Sequence, residues 1–333
     1  MEREGQQVET AQWNDGWIQV KVPLPFSLKW VNSYLIPEPD QSGYTVIDPG
    51  LRTDEAVAAW NEAMQRHDID VAAIKRIIVT HQHPDHYGLA GYFQELSGAP
   101  VYMSRRSHAY TVRLWAEGSR FAEELGQLFS GHGMPDELTS AIAANLELFE
   151  ERVSPQPSVT YMKAGESIRF GGFEWQLIDA PGHAYGQLLL YEPNNGWMFC
   201  GDQVIPRITP NISVVPGEET DPLNDFLTNL DELLNYDVSF AFPGHRDPFT
   251  GFAARIEELK QHHIRRLERM KRMLDEPMSA FELSERLFGI NLRSNPHNLR
   301  FAMAETLAHL YYMEHRGLIR RLEGASAYLF HAV

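Results

Sequence analysis

Along this chain, short apolar runs end repeatedly in a turn signal followed by a single polar side chain. Val31-Asn32-Ser33-Tyr34-Leu35, Ile77-Ile78-Val79, Glu174-Trp175-Gln176-Leu177-Ile178, Trp197-Met198-Phe199-Cys200 and Val238-Ser239-Phe240-Ala241-Phe242 have the length and the β-branched or aromatic content of strands. The period becomes helical between Ser104 and Arg152, where Val112, Trp115, Phe121, Leu125, Leu128 and Phe129 are followed by Leu138, Ile142, Leu146 and Phe149. Gly131-His132-Gly133-Met134-Pro135 breaks that stretch, which predicts a helical hairpin inserted between strands, serving either as a lid or wall or as a dimer surface or core extension. His108 and His132 within it read as ordinary surface histidines. A further helix is predicted from Phe252 into the charged run Arg265 to Arg272. After it come a helix capped by Ser279, a longer one from Pro296 to His315, and a β-hairpin turning at Gly324.

Candidate chemistry concentrates where the strands end. The segment Thr80 to Gly91, T-H-Q-H-P-D-H-Y-G-L-A-G, places His81, His83, Asp85 and His86 within six positions. Imidazole nitrogens beside a carboxylate oxygen suit a borderline cation such as zinc, and four donors exceed what one ion usually takes from one short loop. Two ions are therefore expected. Pro84 biases His83 towards an extended conformation and opens a helix predicted to run through Tyr92, so that His81 and His83 leave the strand while Asp85 and His86 begin the helix. Three later strand ends each add one donor, in Asp179-Ala180-Pro181-Gly182-His183, Gly201-Asp202 and Pro243-Gly244-His245.

In this order the motifs resemble those of the metallo-β-lactamase superfamily of metallohydrolases, over roughly residues 15 to 260. The resemblance implies an α/β fold: a four-layer αββα metallo-β-lactamase sandwich over residues 1–265, with the helical insert at about 104–152, and a small C-terminal winged-helix domain over 266–333. The helix, helix and hairpin order, together with the stretch from Gly201 to Ser213, is similar to the branch of the superfamily that includes lactamase-beta-like 2. By the same resemblance His81, His83 and His183 hold a first metal, Asp85, His86 and His245 hold a second, and Asp202 bridges them. Asp48, in Val46-Ile47-Asp48-Pro49-Gly50, matches an aspartate that orients the histidine loop without binding metal. Ala184 stands where many members carry Thr or Ser, which removes a supporting hydroxyl beside His183. Tyr87 and Tyr185 are the phenols nearest these donors in sequence, and Tyr185 joins Asp85 and Asp202 as a candidate catalytic side chain.

The chemistry so implied is hydrolysis. Metal coordination lowers the pKa of bound water from about 15.7 to about 7, and two ions about 3.5 to 4 Å apart can hold a metal-bridging hydroxide while polarising the substrate oxygen. No protein nucleophile is required, in keeping with the lack of a G-x-S-x-G elbow. The single cysteine, Cys200, lies in an apolar strand pattern and reads as a small buried hydrophobe. The leading expectation is a dinuclear zinc hydrolase, with iron or manganese acceptable to the same donors, acting on a small ester, thioester or lactone. Three alternatives stand beside it: a single-strand-specific endoribonuclease, a mononuclear iron oxygenase using His81 or His83 with His183 and Asp202, and a metal-dependent transcriptional regulator using the winged helix.

Charge bears on the partners. The chain has 29 Lys+Arg against 45 Asp+Glu, a formal net charge of −16, which opposes phosphate backbones and anionic membranes at long range. From Pro277 onward there are six Arg, no Lys and five Asp or Glu, so the C-terminal unit lacks a basic stripe. A small-molecule substrate is expected, nucleic acid is disfavoured, and a homodimer is left open. No window offers the roughly 18 apolar residues of a membrane span, and Met1-Glu2-Arg3-Glu4-Gly5-Gln6-Gln7 does not resemble a signal peptide, so a cytoplasmic enzyme is expected. With 333 residues, 43% of them hydrophobic, the chain can fill the cores of two domains.

Overall fold

The computed structural model describes residues 9–13, 16–116 and 118–333. Residues 1–7, expected above to be a polar start without a leader, lie outside them. A first sheet sets β1 (Thr10–Gln12), β2 (Ile18–Pro23), β3 (Trp30–Pro37), β4 (Tyr44–Ile47), β5 (Ile74–Ile78), β6 (Val101–Ser104) and β7 (Val159–Met162) side by side in chain order. Pairing is antiparallel as far as β4 and parallel beyond it. Parallel neighbours need crossovers, and helices supply them: α1 (Asp54–Arg66) before β5, α2 (Pro84–Tyr87) and α3 (Ala90–Ser97) before β6, and α4 (Arg105–Trp115), α5 (Phe121–Ser130) and α6 (Asp136–Glu147) before β7. The second sheet contains β8 (Ser167–Phe170), β9 (Phe173–Asp179), β10 (Leu188–Glu192), β11 (Trp197–Gly201) and β12 (Phe240–Pro243), ordered β12-β11-β10-β9-β8. There α7 (Pro222–Leu233) crosses from β11 to its parallel neighbour β12, and α8 (Phe252–Met273) follows.

Burial shows how the layers stack. Tyr34, Ile36, Ile47 and Ile78 of the first sheet, with Trp17 just before β2, meet Trp175, Leu177, Leu190, Phe199 and Phe242 of the second in an aromatic-rich core. The other face of the first sheet, with Val20, Val46 and Ile77, is covered by Ala56, Trp60 and Ala63 of α1 and Phe93 of α3. The other face of the second sheet, with Leu189, Met198 and Ala241, is covered by Leu223, Phe226 and Leu230 of α7 and Ile256 and Leu259 of α8. The sandwich is therefore helix, sheet, sheet, helix, as the resemblance implied.

Two expectations are corrected. The helix opening at Pro84 does not run on through Tyr92, because the Leu89 N–H donates to the Gly50 carbonyl (2.7 Å) and the chain restarts as α3. The insert has three helices rather than a hairpin, since Ser104 at the end of β6 accepts from Ser107 N (3.0 Å) and caps α4 at once. Val112, assigned above to the apolar face, is 50% exposed.

The C-terminal unit carries α9 (Ala280–Phe288), α10 (Pro296–His315) and a small sheet of β13 (Met278–Ser279), β15 (Tyr328–Ala332) and β14 (Ile319–Glu323), in that spatial order. Ser279 caps α9 as expected, with Glu282 returning its carboxylate to the Ser279 N–H. The unit docks on the insert through one continuous core in which Leu125, Phe129 and Ile142 join Met303, Leu307 and Phe330. His132 corrects its surface reading at this junction. It is buried, its Nδ1–H donates to the Leu128 carbonyl, Tyr311 hydrogen-bonds Nε2 (3.2 Å), and its ring stacks on Phe330. Among the described residues, no helix is long and apolar enough to cross a membrane.

Candidate metal centre

Four strand ends deliver the donors to one place. β5 ends two residues before Thr80 and releases His81 and His83, α2 carries Asp85 and His86, β9 leads to His183, β11 to Asp202 and β12 to His245. The donor atoms of His81, His83 and His183 lie within 4.8 Å of one another, as do those of His81, His86 and Asp202 and those of Asp85, His86 and His245. Asp202 sits between the groups: Oδ1 is 3.5 Å from His86 Nε2, while Oδ2 is 3.3 Å from His245 Nε2 and 3.8 Å from His183 Nε2. Asp85 Oδ2 lies 3.2 Å from His245 Nε2.

The partners behind these rings fix their tautomers. His86 Nδ1 faces Asp48 Oδ2 (2.9 Å), His183 Nδ1 faces the Asn211 carbonyl (2.8 Å) and His245 Nδ1 faces the Trp30 carbonyl (2.9 Å). Carboxylates and carbonyls only accept, so each Nδ1 carries a proton and Nε2 is the nitrogen left to offer its lone pair to a cation. Thr80 Oγ1 donates to Asp48 Oδ2 (2.7 Å) and so accepts from His81 Nδ1 (3.0 Å), which bares His81 Nε2 as well. That nitrogen stands 3.0 Å from His83 Nδ1. Nε2 of His86, His183 and His245 and Oδ1 of Asp202 are buried without a hydrogen-bond partner among the described residues. Buried polar atoms are almost always satisfied, and lone pairs converging on one another are the arrangement a divalent cation satisfies. The donor set fits metal.

Electrostatics agree. Burial and the neighbouring imidazoles hold His81 well below the ordinary histidine range, and burial with His183 holds His83 down to about 3, so both are neutral. Burial would also lower His86 and His245, but the carboxylates of Asp202 and Asp85 outweigh it, raising His86 well above its ordinary value and His245 to about 10. Against the opposing pull of burial, the same histidines hold Asp202 far below the ordinary carboxylate range. The carboxylates thus favour a second proton on His86 and His245, on the Nε2 atoms that a cation would take in its place.

Asp48 supports rather than ligates, accepting also from Thr80 N (2.7 Å) with its backbone at φ +50°, a conformation Asp tolerates. Ala184 offers no hydroxyl, and the His183 ring is held by the Asn211 carbonyl. Tyr185 is not brought to the cluster: its hydroxyl donates to Asp225 Oδ2 (2.7 Å) and Arg106 covers its ring, so the candidate catalytic role is withdrawn. Tyr87 likewise points away, donating to Gln156 Oε1 (2.6 Å). Cys200 is buried as expected, its thiol against the Val204 carbonyl.

Sequence reasoning missed the buttresses. Gln187 accepts from Asp202 N (3.1 Å) and is tied through Gln203 to Asn229. Asn32 holds the His245 turn by donating to the Pro243 and Arg246 carbonyls. His83, Asp85, His183, Asp202 and His245 open onto a cavity of about 240 Å³, whose lining includes Trp115 and Phe149 of the stretch for which a lid or wall was one expectation. Phe26, Tyr110, Ile205 and Ile208 also line it, with His297, Arg300 and Phe301 of α10, which sequence reasoning did not single out.

Comparison with known proteins follows the same lines. The profile of the Metallo-beta-lactamase superfamily matches residues 31–245, and that of the Metallo-beta-lactamase-like, C-terminal domain matches 267–332. The Bacillus subtilis strain 168 protein "Probable metallo-hydrolase YqjP" is 29% identical over 308 residues, covering 89% of this chain and 92% of its own. The crystal structure of a metallo-beta-lactamase family protein from Thermus thermophilus is 34% identical with a TM-score of 0.85, covering 96% of this chain and 99% of that one. A Beta-lactamase domain protein from Burkholderia ambifaria is 27% identical, also with a TM-score of 0.85, over 98% and 95% of the two chains. Sandwich, donor cluster and full-length likeness lead to one conclusion: the chain belongs to the metallo-beta-lactamase superfamily of metal-dependent hydrolases.

Proposed function

We propose that the protein is a dinuclear zinc hydrolase acting on a small ester, thioester or lactone. The observation that carries this reading is the convergence of seven donors into one cluster, five of which open onto a largely apolar cavity. His81, His83 and His183 are assigned to one ion, Asp85, His86 and His245 to the other, and Asp202 to both. The presence of the second set favours two ions over a single-iron triad. When bound, such ions supply a water of lowered pKa and a Lewis acid for the substrate oxygen. The chain's own part is positional. Asp48 orients His86 and the Thr80 turn, the Asn211 and Trp30 carbonyls orient His183 and His245, and the aromatic walls exclude water from the reacting group.

The C-terminal unit, taken as 266–333 and winged-helix-like in element order, supplies one wall of the cavity through α10. Its lack of a basic stripe weighs against a nucleic-acid role. A single buried cysteine is in keeping with a cytoplasmic protein.

Metal analysis after zinc loading and desalting is expected to give about two ions per chain, and Asp202→Asn is expected to lower hydrolysis about 100-fold or more. Activity should be sought across p-nitrophenyl esters, acyl thioesters, lactones and phosphodiesters. Less than one tightly bound ion, or full activity in Asp202→Asn, sinks the proposal. Cleavage confined to single-stranded RNA would replace it with the nuclease reading.

A further inference from the structure

The wall that α10 gives the cavity carries a cation that no carboxylate meets among the described residues. Arg106, Arg113, Arg266 and Arg321 each meet a glutamate. Arg255 donates to Glu258 and to the Ile205 and Ile208 carbonyls. Arg300 does neither. Its Nε is buried with no hydrogen-bond partner among the described residues, and its guanidinium lies 4.3 Å from the centre of the Phe301 ring, with the Tyr110 phenol nearby. Burial pulls it down to about 10, which leaves it a cation at neutral pH. Beside it, His297 is stacked on Phe26 (centroids 4.4 Å apart, 10° between planes) and on Phe149 (5.7 Å, 12°). Its Nδ1 is also buried and without a partner among the described residues, and burial holds the ring neutral, at about 4. Both residues line the cavity onto which the metal donors open.

Arg300 is partly exposed into the cavity, and a desolvated cation without an ionic partner is unfavourable, so proteins retain one where a ligand supplies the anion. A guanidinium offers a planar fork that matches two oxygens of an anionic group. With one such cation, a neutral imidazole next to it and the acidic donor cluster in the same cavity, a single negative charge is matched and a doubly charged phosphate is not. Resting on the hydrolase reading above, we infer that the substrate is an acyl compound bearing a carboxylate on its acyl tail. Arg300 receives that carboxylate, His297 offers a second hydrogen bond, and the apolar walls take the methylenes between. Arg300 is then the specificity-determining residue, contributed by the C-terminal unit to the catalytic domain's cavity.

The test uses the full chain loaded with zinc and two matched probes, the S-phenyl thioester of hexanoic acid and the mono-S-phenyl thioester of adipic acid, which differ in the terminal carboxylate. The wild type is expected to favour the carboxylate probe in kcat/KM by about tenfold or more. The ratio should fall to near unity in Arg300→Gln and be partly kept in Arg300→Lys, with melting curves confirming that both variants fold. A second readout does not need turnover: calorimetric titration with hexanoate carrying a terminal phenylthio group, a thioether that cannot be hydrolysed. It should bind about tenfold or more tightly to the wild type than to Arg300→Gln. No preference in the wild type, a preference that survives in Arg300→Gln, or tighter binding of the matching phosphate-terminated thioether overturns the inference. If neither thioester is hydrolysed, the thioester arm of the functional proposal fails, while the titration still decides the role of Arg300.

Discussion

At Gly244 the absence of a side chain is what lets the donors meet. Its N–H donates to the Gly201 carbonyl (2.8 Å) and its own carbonyl accepts from Asn32 N (2.7 Å), which pins the turn against the cluster. A Cβ there would lie 2.3 Å from Asp202 Oδ1 and 2.5 Å from His86 Cε1. Gly244→Ala is therefore expected to weaken zinc binding about tenfold or more with every donor still present, as read by competition with a chelating dye. Unchanged affinity would show that the turn can yield. Asp48→Ala removes three hydrogen bonds, to Thr80 N, Thr80 Oγ1 and His86 Nδ1. It should cost about 10- to 100-fold in metal affinity and about 2–3 kcal/mol in stability by denaturant titration. The donors themselves were legible in the sequence, because H-x-H-x-D-H is a local pattern. Their tautomers were not, since they depend on carbonyls such as Asn211 and Trp30, which leave no trace in side-chain spelling.

The hairpin joining β10 to β11 turns on one carboxylate. Glu192 is buried and accepts from the backbone N–H and the side-chain amide of both Asn194 and Asn195, at 2.8–3.0 Å. Burial would raise its pKa, but these four donors outweigh burial and hold it below the ordinary range. A carboxyl depressed in the folded state stabilises fully above its unfolded pKa of about 4.3, and loses that contribution as pH falls through the lower folded value. Glu192→Gln should cost about 1–2 kcal/mol at pH 7, with the gap to wild type closing below about pH 4. A gap independent of pH would mean that the charge is irrelevant to the turn. The strands leading to the metal donors were readable because each ends in a Gly or Pro signal beside a polar residue. The insert was misread because periodicity alone could not tell that Ser104 caps a helix directly on the strand end, nor that α4 turns Tyr110 and Leu114 to the cavity and Val112 outward.

Between the catalytic sandwich and the C-terminal unit, α8 and α10 meet through two histidines. His309 Nδ1–H donates to the Glu305 carbonyl (2.8 Å), so its Nε2 accepts from His263 Nδ1–H (3.1 Å). Burial pulls His263 down to about 2 and His309 to about 3, so both are neutral in the folded protein. A histidine depressed in this way leaves stability constant above its unfolded pKa of about 6.5 and lowers it progressively below that, down to the folded values. The drop between pH 7.5 and pH 5 is expected to reach up to about 2 kcal/mol per histidine and to shrink in His309→Leu. Identical pH profiles for the two proteins would remove the pair from the account. The order of elements in the C-terminal unit was legible from Ser279, Pro296 and Gly324. Its docking was not, because His132 and Phe330 meet across nearly two hundred positions and a histidine between glycines reads as exposed. Distance along the chain also has a use. The cavity is bounded by Phe26, Tyr110, Ile208 and Arg300, so any occupant staples four remote segments together and must be expelled before they can separate. A compound present at a hundred times its Kd would add about 2.7 kcal/mol to unfolding. Melting-temperature shifts across a metabolite collection can therefore find what this enzyme holds before any turnover has been seen.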